Sequence, residues 1–248
     1  MQMAKNLIHG TVLAVGLLIG ANSFANPVVM RVGLDSTGGQ IGALQAFLSR
    51  ANKVAAQVNP NGTGRPLLIE NTFHGANSPG GASVAVTFDS LEDWAEVTAN
   101  QRSSAEWTAV MQTFPANGYR VSFQGLSEIV WQTQGATAPT PGNVLIVYNF
   151  EILQGGIQPM VAFLERVTGV GRSENIGGQP TLMVPIMAGS ETAQAATVVV
   201  RFDSATAWAQ ATARQNASSA WQAAFSSFPV QNYRLTYQGM STVMPIPD

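Results

Sequence analysis

The chain has 248 residues, with 12 Lys and Arg against 14 Asp and Glu and no Cys. This mildly acidic balance excludes the dense basic patches that bind nucleic acid or an anionic membrane surface, and the missing thiols exclude disulfides, thiolate metal sites and Cys-held iron–sulfur clusters. Only 10% of the residues are charged, against about 25% in ordinary proteins, so Ser, Thr, Asn and Gln must cover much of the surface.

Residues 1–25 read as a secretory leader. Lys5 gives a positive start, Leu7 to Ala21 form a mostly apolar run, and Ser23-Phe24-Ala25 is a small-x-small cleavage site. Cleavage is expected before Asn26, which implies a periplasmic or secreted protein. The apolar run is shorter than the ~20 residues of a spanning helix, and no stable membrane insertion is expected once it is removed. Cleavage takes Lys5 and His9 away and leaves a net charge near −3, with Lys53 the one remaining lysine.

Beyond the leader, the chain repeats itself. Phe88 to Ser127 aligns without a gap with Phe202 to Ser241 at a constant offset of 114. Trp94 answers Trp208, Trp107 answers Trp221, the Phe-Pro at 114–115 answers that at 228–229, and Tyr119-Arg120 answers Tyr233-Arg234. A repeat of this length constrains architecture before anything else does. It divides the chain into a first half, 26–132, a Pro/Gly/Thr-rich linker, 133–142, and a second half, 143–248.

In the first half, alternation predicts a strand over Val28–Leu34. Ile41, Leu44, Phe47, Leu48, Ala51, Val54 and Val58 follow at helical steps. Further strands are expected at Leu67–His74 and Ser83–Phe88, then a helical segment broken near Ser104, and a last strand at Tyr119–Gln124. The second half repeats the series: strand Val144–Ile152, a helix through Met160, Phe163, Leu164 and Val167 with Pro159 in its first turn, strands Thr181–Met187 and Thr197–Phe202, a helical segment broken near Ser218, and a strand Tyr233–Gln238. Pro185 marks a bulge or an edge.

The order β-α-β-β-α-β is the ferredoxin-like split unit. Its sheet is covered by helices on one face, so the other face needs a partner. Two tandem units supply one, with two sheets facing each other around a barrel, giving an α+β fold. On this element order, half length and the aromatic helix after Phe-Asp-Ser, the chain resembles the dimeric α/β-barrel superfamily. That group includes antibiotic-biosynthesis-type monooxygenases, stress-responsive barrel domains, NIPSNAP-like proteins and chlorite-dismutase-like haem proteins. The resemblance implies an intramolecular α/β barrel and allows cofactor-free monooxygenase or isomerase chemistry. It carries over no catalytic residue.

The repeated Phe-Asp-Ser reads as a strand end followed by a helix cap, and the repeated Trp residues as core. Strand alternation is more informative. It sends Tyr119, Val121 and Phe123 to the helices and Arg120, Ser122 and Gln124 to the interior, with Arg234, Thr236 and Gln238 as counterparts. Arg31 and Arg201 join them. On the second strand Glu70, Thr72 and His74 share one face, with Leu67, Ile69 and Phe73 as the apolar alternative. The candidate ligand-binding set is therefore Arg31, Thr72, His74, Arg120, Gln124, Arg201, Arg234 and Gln238, expected to orient a small, partly apolar molecule in the lumen. Glu70 and Glu151 are the acids available to pair with these arginines.

His74 is the one histidine left after cleavage. It reads as a general base, with Glu70 as the other candidate and an Arg for a developing enolate, as a haem axial ligand, or as a hydrogen-bonded residue beside a Gly-containing turn. No cofactor is expected, with haem the alternative, and the scarcity of His and of Asp-rich runs predicts no metal site. A structural or partner-binding role without catalysis is the third functional reading.

Overall fold

The structure, a computed structural model, describes residues 26–73, 81–188 and 195–248. The expected leader and His74 lie outside the described residues. The first half gives β1 (Val28–Ser36), α1 (Ile41–Val58), β2 (Arg65–Phe73), β3 (Gly81–Phe88), α2 (Leu91–Ser103), α3 (Ala105–Met111) and β4 (Tyr119–Gln132). The second gives β5 (Val144–Ile152), α4 (Gln158–Ser173), β6 (Gln179–Ala188), β7 (Ala195–Phe202), α5 (Ala205–Ala217), α6 (Ser219–Phe225) and β8 (Tyr233–Met244). The element order is the same in both, as the repeat requires.

The strands form one closed antiparallel barrel in the order β1-β3-β2-β8-β5-β7-β6-β4, so the fold is α+β. Two separate sheets facing each other were expected; instead they join edge to edge. One seam pairs β2 with β8, from Leu68↔Met244 to Phe73↔Met240, and the other pairs β4 with β6, from Gly125↔Ala188 to Gln132↔Thr181. The reason is backbone satisfaction. A free four-stranded sheet leaves two rows of N–H and C=O unpaired, and closure removes both edges. The seams also explain why β4 and β8 continue past Gln124 and Gln238, where the sequence suggests an end. Gly125 and Gly239 stay in the ladder because a neighbouring strand holds them there. At Pro185 the ladder slips, from Ser127↔Pro185 to Leu126↔Met187, the irregularity that a residue without N–H imposes.

The helices pack on the outer face of the barrel. Leu44, Phe47, Leu48 and Ala51 of α1 meet Leu34, Leu68 and Ala82, with Trp107 and Phe114 against them. Met160, Phe163, Leu164 and Val167 of α4 meet Phe150, Leu182 and Val198, with Trp221 and Phe228 against them. Trp94 and Trp208 pack on smaller clusters around Phe88 and Phe202. Ser caps start α2 and α5: Ser90 Oγ accepts from Asp93 N–H and Ser204 Oγ from Ala207 N–H, both at 3.1 Å. Ser104 and Ser218 cap α3 and α6 in the same way, at 3.0 and 2.9 Å, which is why each helical segment breaks there. The Ser90–Asp93 capping box does not close, because the Asp93 carboxylate takes the Thr63 hydroxyl and N–H instead.

Candidate functional site

Alternation puts two different surfaces on each strand. On β5, Leu145, Val147 and Asn149 face the barrel lumen, while Ile146, Tyr148 and Phe150 face the helices. Each surface encloses a cavity.

The luminal cavity has a volume of about 530 Å³. Its middle is apolar, with Val29, Leu67, Ala85, Leu145, Val147 and Val199 on the wall. Polar groups share the same wall, Arg31, Asn71, Thr87, Asn149, Thr181 and Tyr237 among them. Two aromatic rings narrow the upper lumen, and both owe their position to a bulge. The pairing of β4 with β1 steps from Leu34↔Val121 to Gly33↔Phe123, which leaves Ser122 as an extra residue. On β8 the step from Phe150↔Leu235 to Asn149↔Tyr237 does the same at Thr236. One inserted residue flips the alternation, so Phe123 and Tyr237 turn into the lumen. Phe123 lies on Gly33 and the Tyr237 hydroxyl lies over Gly239, positions where a Cβ would collide with the ring or its oxygen. The Arg31 guanidinium sits over the Phe123 ring, 4.4 Å from its centroid, a cation–π contact. Burial raises the Tyr237 pKa and the nearby Arg31 charge opposes that rise.

The floor of the lumen is the linker. Ala136, Thr137, Ala138 and Pro139 line it. Arg201 Nη1 donates to Ala138 O at 3.2 Å, Thr137 N–H to Gln179 Oε1 at 3.3 Å, and Thr140 N–H to Asn143 Oδ1 at 2.9 Å. The linker is thus hydrogen-bonded to the barrel wall and lines one end of the lumen.

The candidate residues separate accordingly. Arg31 lines the lumen. Arg201 lies beneath its floor, 11% exposed, paired with Asp203 at 3.4 Å. Arg120 and Arg234 stand on the upper rim, 72% and 67% exposed. Each is held by an acid on the adjacent strand, Arg120 by Asp35 at 2.8 Å and Arg234 by Glu151. The interior placement of these two arginines is therefore corrected: they lie where the strands rise above the closed part of the barrel. Gln124 and Gln238 come after the bulges, so they fall on the outer face, exposed. Thr72 lies at a register shift of β2 and bonds Thr242 Oγ1 at 3.0 Å. On β2 the apolar alternative wins, since Leu67, Ile69 and Asn71 face the lumen and Leu68 the α1 core. Glu70 is therefore turned outward, where its charge helps burial raise the Tyr119 pKa.

The second cavity, about 670 Å³, lies in the second half between the sheet and α4, α5 and α6. Tyr148, Phe163, Trp208, Trp221 and Phe228 supply much of its wall. The buried Thr168 hydroxyl in it has no hydrogen-bond partner, and Arg172, exposed, is at its border. Burial pushes the Tyr148 phenol up.

No protein-family model matches the chain, and no curated protein matches it in sequence. Solved structures do. A candidate monooxygenase from Lactobacillus acidophilus is similar over 88% of this chain and 93% of its own, at a TM-score of 0.54 and 9% identity. A dye-decolorizing peroxidase from Bacteroides thetaiotaomicron is similar over 92% and 95%, at 0.54 and 6%. A haem-binding protein from Thermus thermophilus is similar over 89% and 92%, at 0.51 and 10%. This is the dimeric α/β-barrel fold. At such identities the likeness concerns the fold alone. In this α/β barrel the residues that sequence reasoning missed, Phe123, Tyr237 and Asn149, shape the lumen. A signal for two of them was present: Phe123-Gln-Gly125 and Tyr237-Gln-Gly239 recur at the repeat offset, and residues two apart share a strand face, so each large ring has a vacant neighbour to lie against.

Proposed function

We propose that this chain is an exported protein of two tandem ferredoxin-like units, 26–132 and 143–248 around the linker 133–142, that binds a small, partly apolar molecule in the barrel lumen. The observation that carries this reading is the luminal cavity itself. A space of about 530 Å³ falls within the ~300–1,000 Å³ of small-molecule sites, and an apolar wall with a few fixed polar groups is their usual construction. Arg31, Tyr237 and Asn149 orient the guest, and the apolar wall holds its body. The test is native mass spectrometry of the protein as purified, beside an Ala85→Trp variant that fills the lumen. A small molecule retained by the parent protein and lost from a folded variant supports the reading. A protein that carries none, and binds none from a library of small apolar compounds, overturns it in favour of a structural role.

The monooxygenase-type alternative has support at the level of fold, from the monooxygenase and peroxidase neighbours, and from the helix–sheet cavity as a second apolar chamber. Glu70 faces away from the lumen, and His74 is outside the described residues. Oxygen uptake with electron-rich phenols is the assay that discriminates it.

Haem iron is held by His, Cys thiolate, Met with His, or Tyr. The chain has no Cys, both of its histidines, His9 and His74, are outside the described residues, and among the described residues no group of three His, Cys, Asp or Glu gathers. In the helix–sheet cavity the candidates are Met160 and Tyr148. Burial raises the Tyr148 pKa and so disfavours the phenolate that iron prefers. The described residues do not fit haem, and no step of the proposed function runs through it.

A further inference from the structure

The lumen is polar at both ends and mainly apolar between them. On β3 the inward residues are Ser83, Ala85 and Thr87, and on β2 they run from Arg65 through Leu67 and Ile69 to Asn71. The upper band holds Asn71, Ser83, Asn149 and Tyr237, and the lower band, next to the linker, holds Thr87, Gln132 and Thr181. Between the bands lie Leu67, Ala85, Ile129, Val147 and Val199. Hydroxyl and amide side chains both donate and accept. In the upper band part of that capacity is used, since Ser241 Oγ donates to Asn71 Oδ1 at 3.2 Å and Thr197 Oγ1 to Asn149 Oδ1 at 3.0 Å. In the lower band the side chains of Thr87, Gln132 and Thr181 make no hydrogen bond to another described residue. The charges, by contrast, are all engaged. Among the described residues four charged side chains reach the wall: Asp35 pairs with Arg120 at 2.8 Å, Arg65 pairs with Asp89 at 3.1 Å, and Arg31 is engaged with its guanidinium over the Phe123 ring.

We propose that the luminal guest is a neutral, elongated molecule with a hydroxyl or amide group at each end and a hydrocarbon body between, one end set against Asn149 and Tyr237 and the other against Thr87 and Thr181. This deepens the luminal reading above and rests on it. The wall favours neutral end groups for two reasons. Side chains that both donate and accept are matched by a hydroxyl or an amide, which do the same. An ion would be desolvated in a chamber whose charges already have partners, with nothing left to compensate it. Two polar ends are favoured over one because a guest polar at one end alone strips water from the opposite band and leaves it unpaired. A buried donor or acceptor without a partner costs more than a formed bond gains. The bands also set a length. Ser83 and Thr87 are separated by roughly 13 Å along β3 at ~3.3 Å per residue, a span that a chain of about ten carbons covers.

The probes are decane-1,10-diol, decan-1-ol and decanoate, which share a chain length and differ at its ends. Titration calorimetry on the full-length protein is expected to give at least about tenfold tighter binding of the diol than of the monoalcohol, a difference of about 1.4 kcal/mol. Decanoate is expected to bind more weakly than the diol. Thr87→Val and Thr181→Val, made singly, keep the branched shape and remove the hydroxyl. Each is expected to weaken the diol several-fold and leave the monoalcohol unchanged, and either one provides the reading should the other fail to fold. Ala85→Trp, which fills the lumen, is expected to abolish binding of both alcohols. A monoalcohol that binds as tightly as the diol overturns the two-ended inference and leaves luminal binding standing, and so does a diol preference that neither threonine variant reduces. Decanoate binding more tightly than the diol overturns the neutral guest. Binding of none of the three probes, or binding that persists in a folded Ala85→Trp variant, overturns the luminal reading as well.

Discussion

Single residues decide which side chains reach the lumen. Ser122 and Thr236, each an extra residue against its neighbouring strand, turn Phe123 and Tyr237 inward. They leave Arg120 and Arg234 as rim residues with an acid partner each. Exposed ion pairs of this kind contribute about 0–1 kcal/mol, because water screens them and two long side chains must be ordered. Arg120→Met and Arg234→Met are therefore expected to change stability by less than about 1 kcal/mol each and to leave luminal binding unaltered. Urea unfolding and calorimetry on the two variants check this, and a large loss of binding in either would return these arginines to the site. Arg31 was the one arginine whose luminal position alternation gave correctly, because no bulge precedes it on β1. The rings were missed because an inserted residue leaves no mark in the hydrophobic pattern. Ser122 and Thr236 are as polar as the outward residues of a regular strand.

Whole elements meet at the helix–sheet layer, and there the repeated aromatics were legible. Trp107 and Trp221 occupy equivalent places on α3 and α6, packed on the outer face of the barrel. Helical spacing with Val110 and Ala224 is enough to predict that. Both are partly exposed, so truncation is expected to cost about 3 kcal/mol, the lower end for large core aromatics. Trp221→Ala also enlarges the cavity it lines, so it is expected to raise the affinity of that half for small aromatic compounds, an effect that Trp107→Ala lacks. Denaturant midpoints and binding of a fluorescent aromatic probe measure the two effects separately. A Trp221→Ala protein as stable as its parent would show that the ring does not hold α6 to the sheet. The linker was not legible at this scale. Its Pro, Gly and Thr content describes a chain that avoids regular structure, and nothing local reveals that Arg201, more than sixty residues later, donates to Ala138.

At the scale of the molecule, all four tyrosines share one electrostatic condition. Burial pushes the phenols of Tyr119, Tyr148, Tyr233 and Tyr237 up. The charge of Glu70 adds to this at Tyr119, whereas the Met160 N–H at Tyr233 and the Arg31 charge at Tyr237 work against it. A group that holds its proton more tightly when folded contributes stability below its ordinary pKa, about 10 for tyrosine. That contribution is lost as pH rises above this value, because the unfolded chain releases its protons first. The barrel is therefore expected to lose stability from about pH 10 upward, with tyrosinate absorbance appearing together with loss of near-UV circular dichroism. Tyrosines that ionise near their ordinary pKa in a folded protein would contradict their burial. The sequence by itself determined the elements, their duplication, the helix caps and the apolar faces, because each follows from propensity and spacing within a few residues. Closure into one sheet, the register shifts at Ser122 and Thr236, the linker as a floor and the size of both cavities were decided only in the tertiary structure. They depend on which backbone edges and side chains meet across more than a hundred residues, and unpaired edges, unlike hydrophobic periods, are satisfied only by partners that the local sequence does not name.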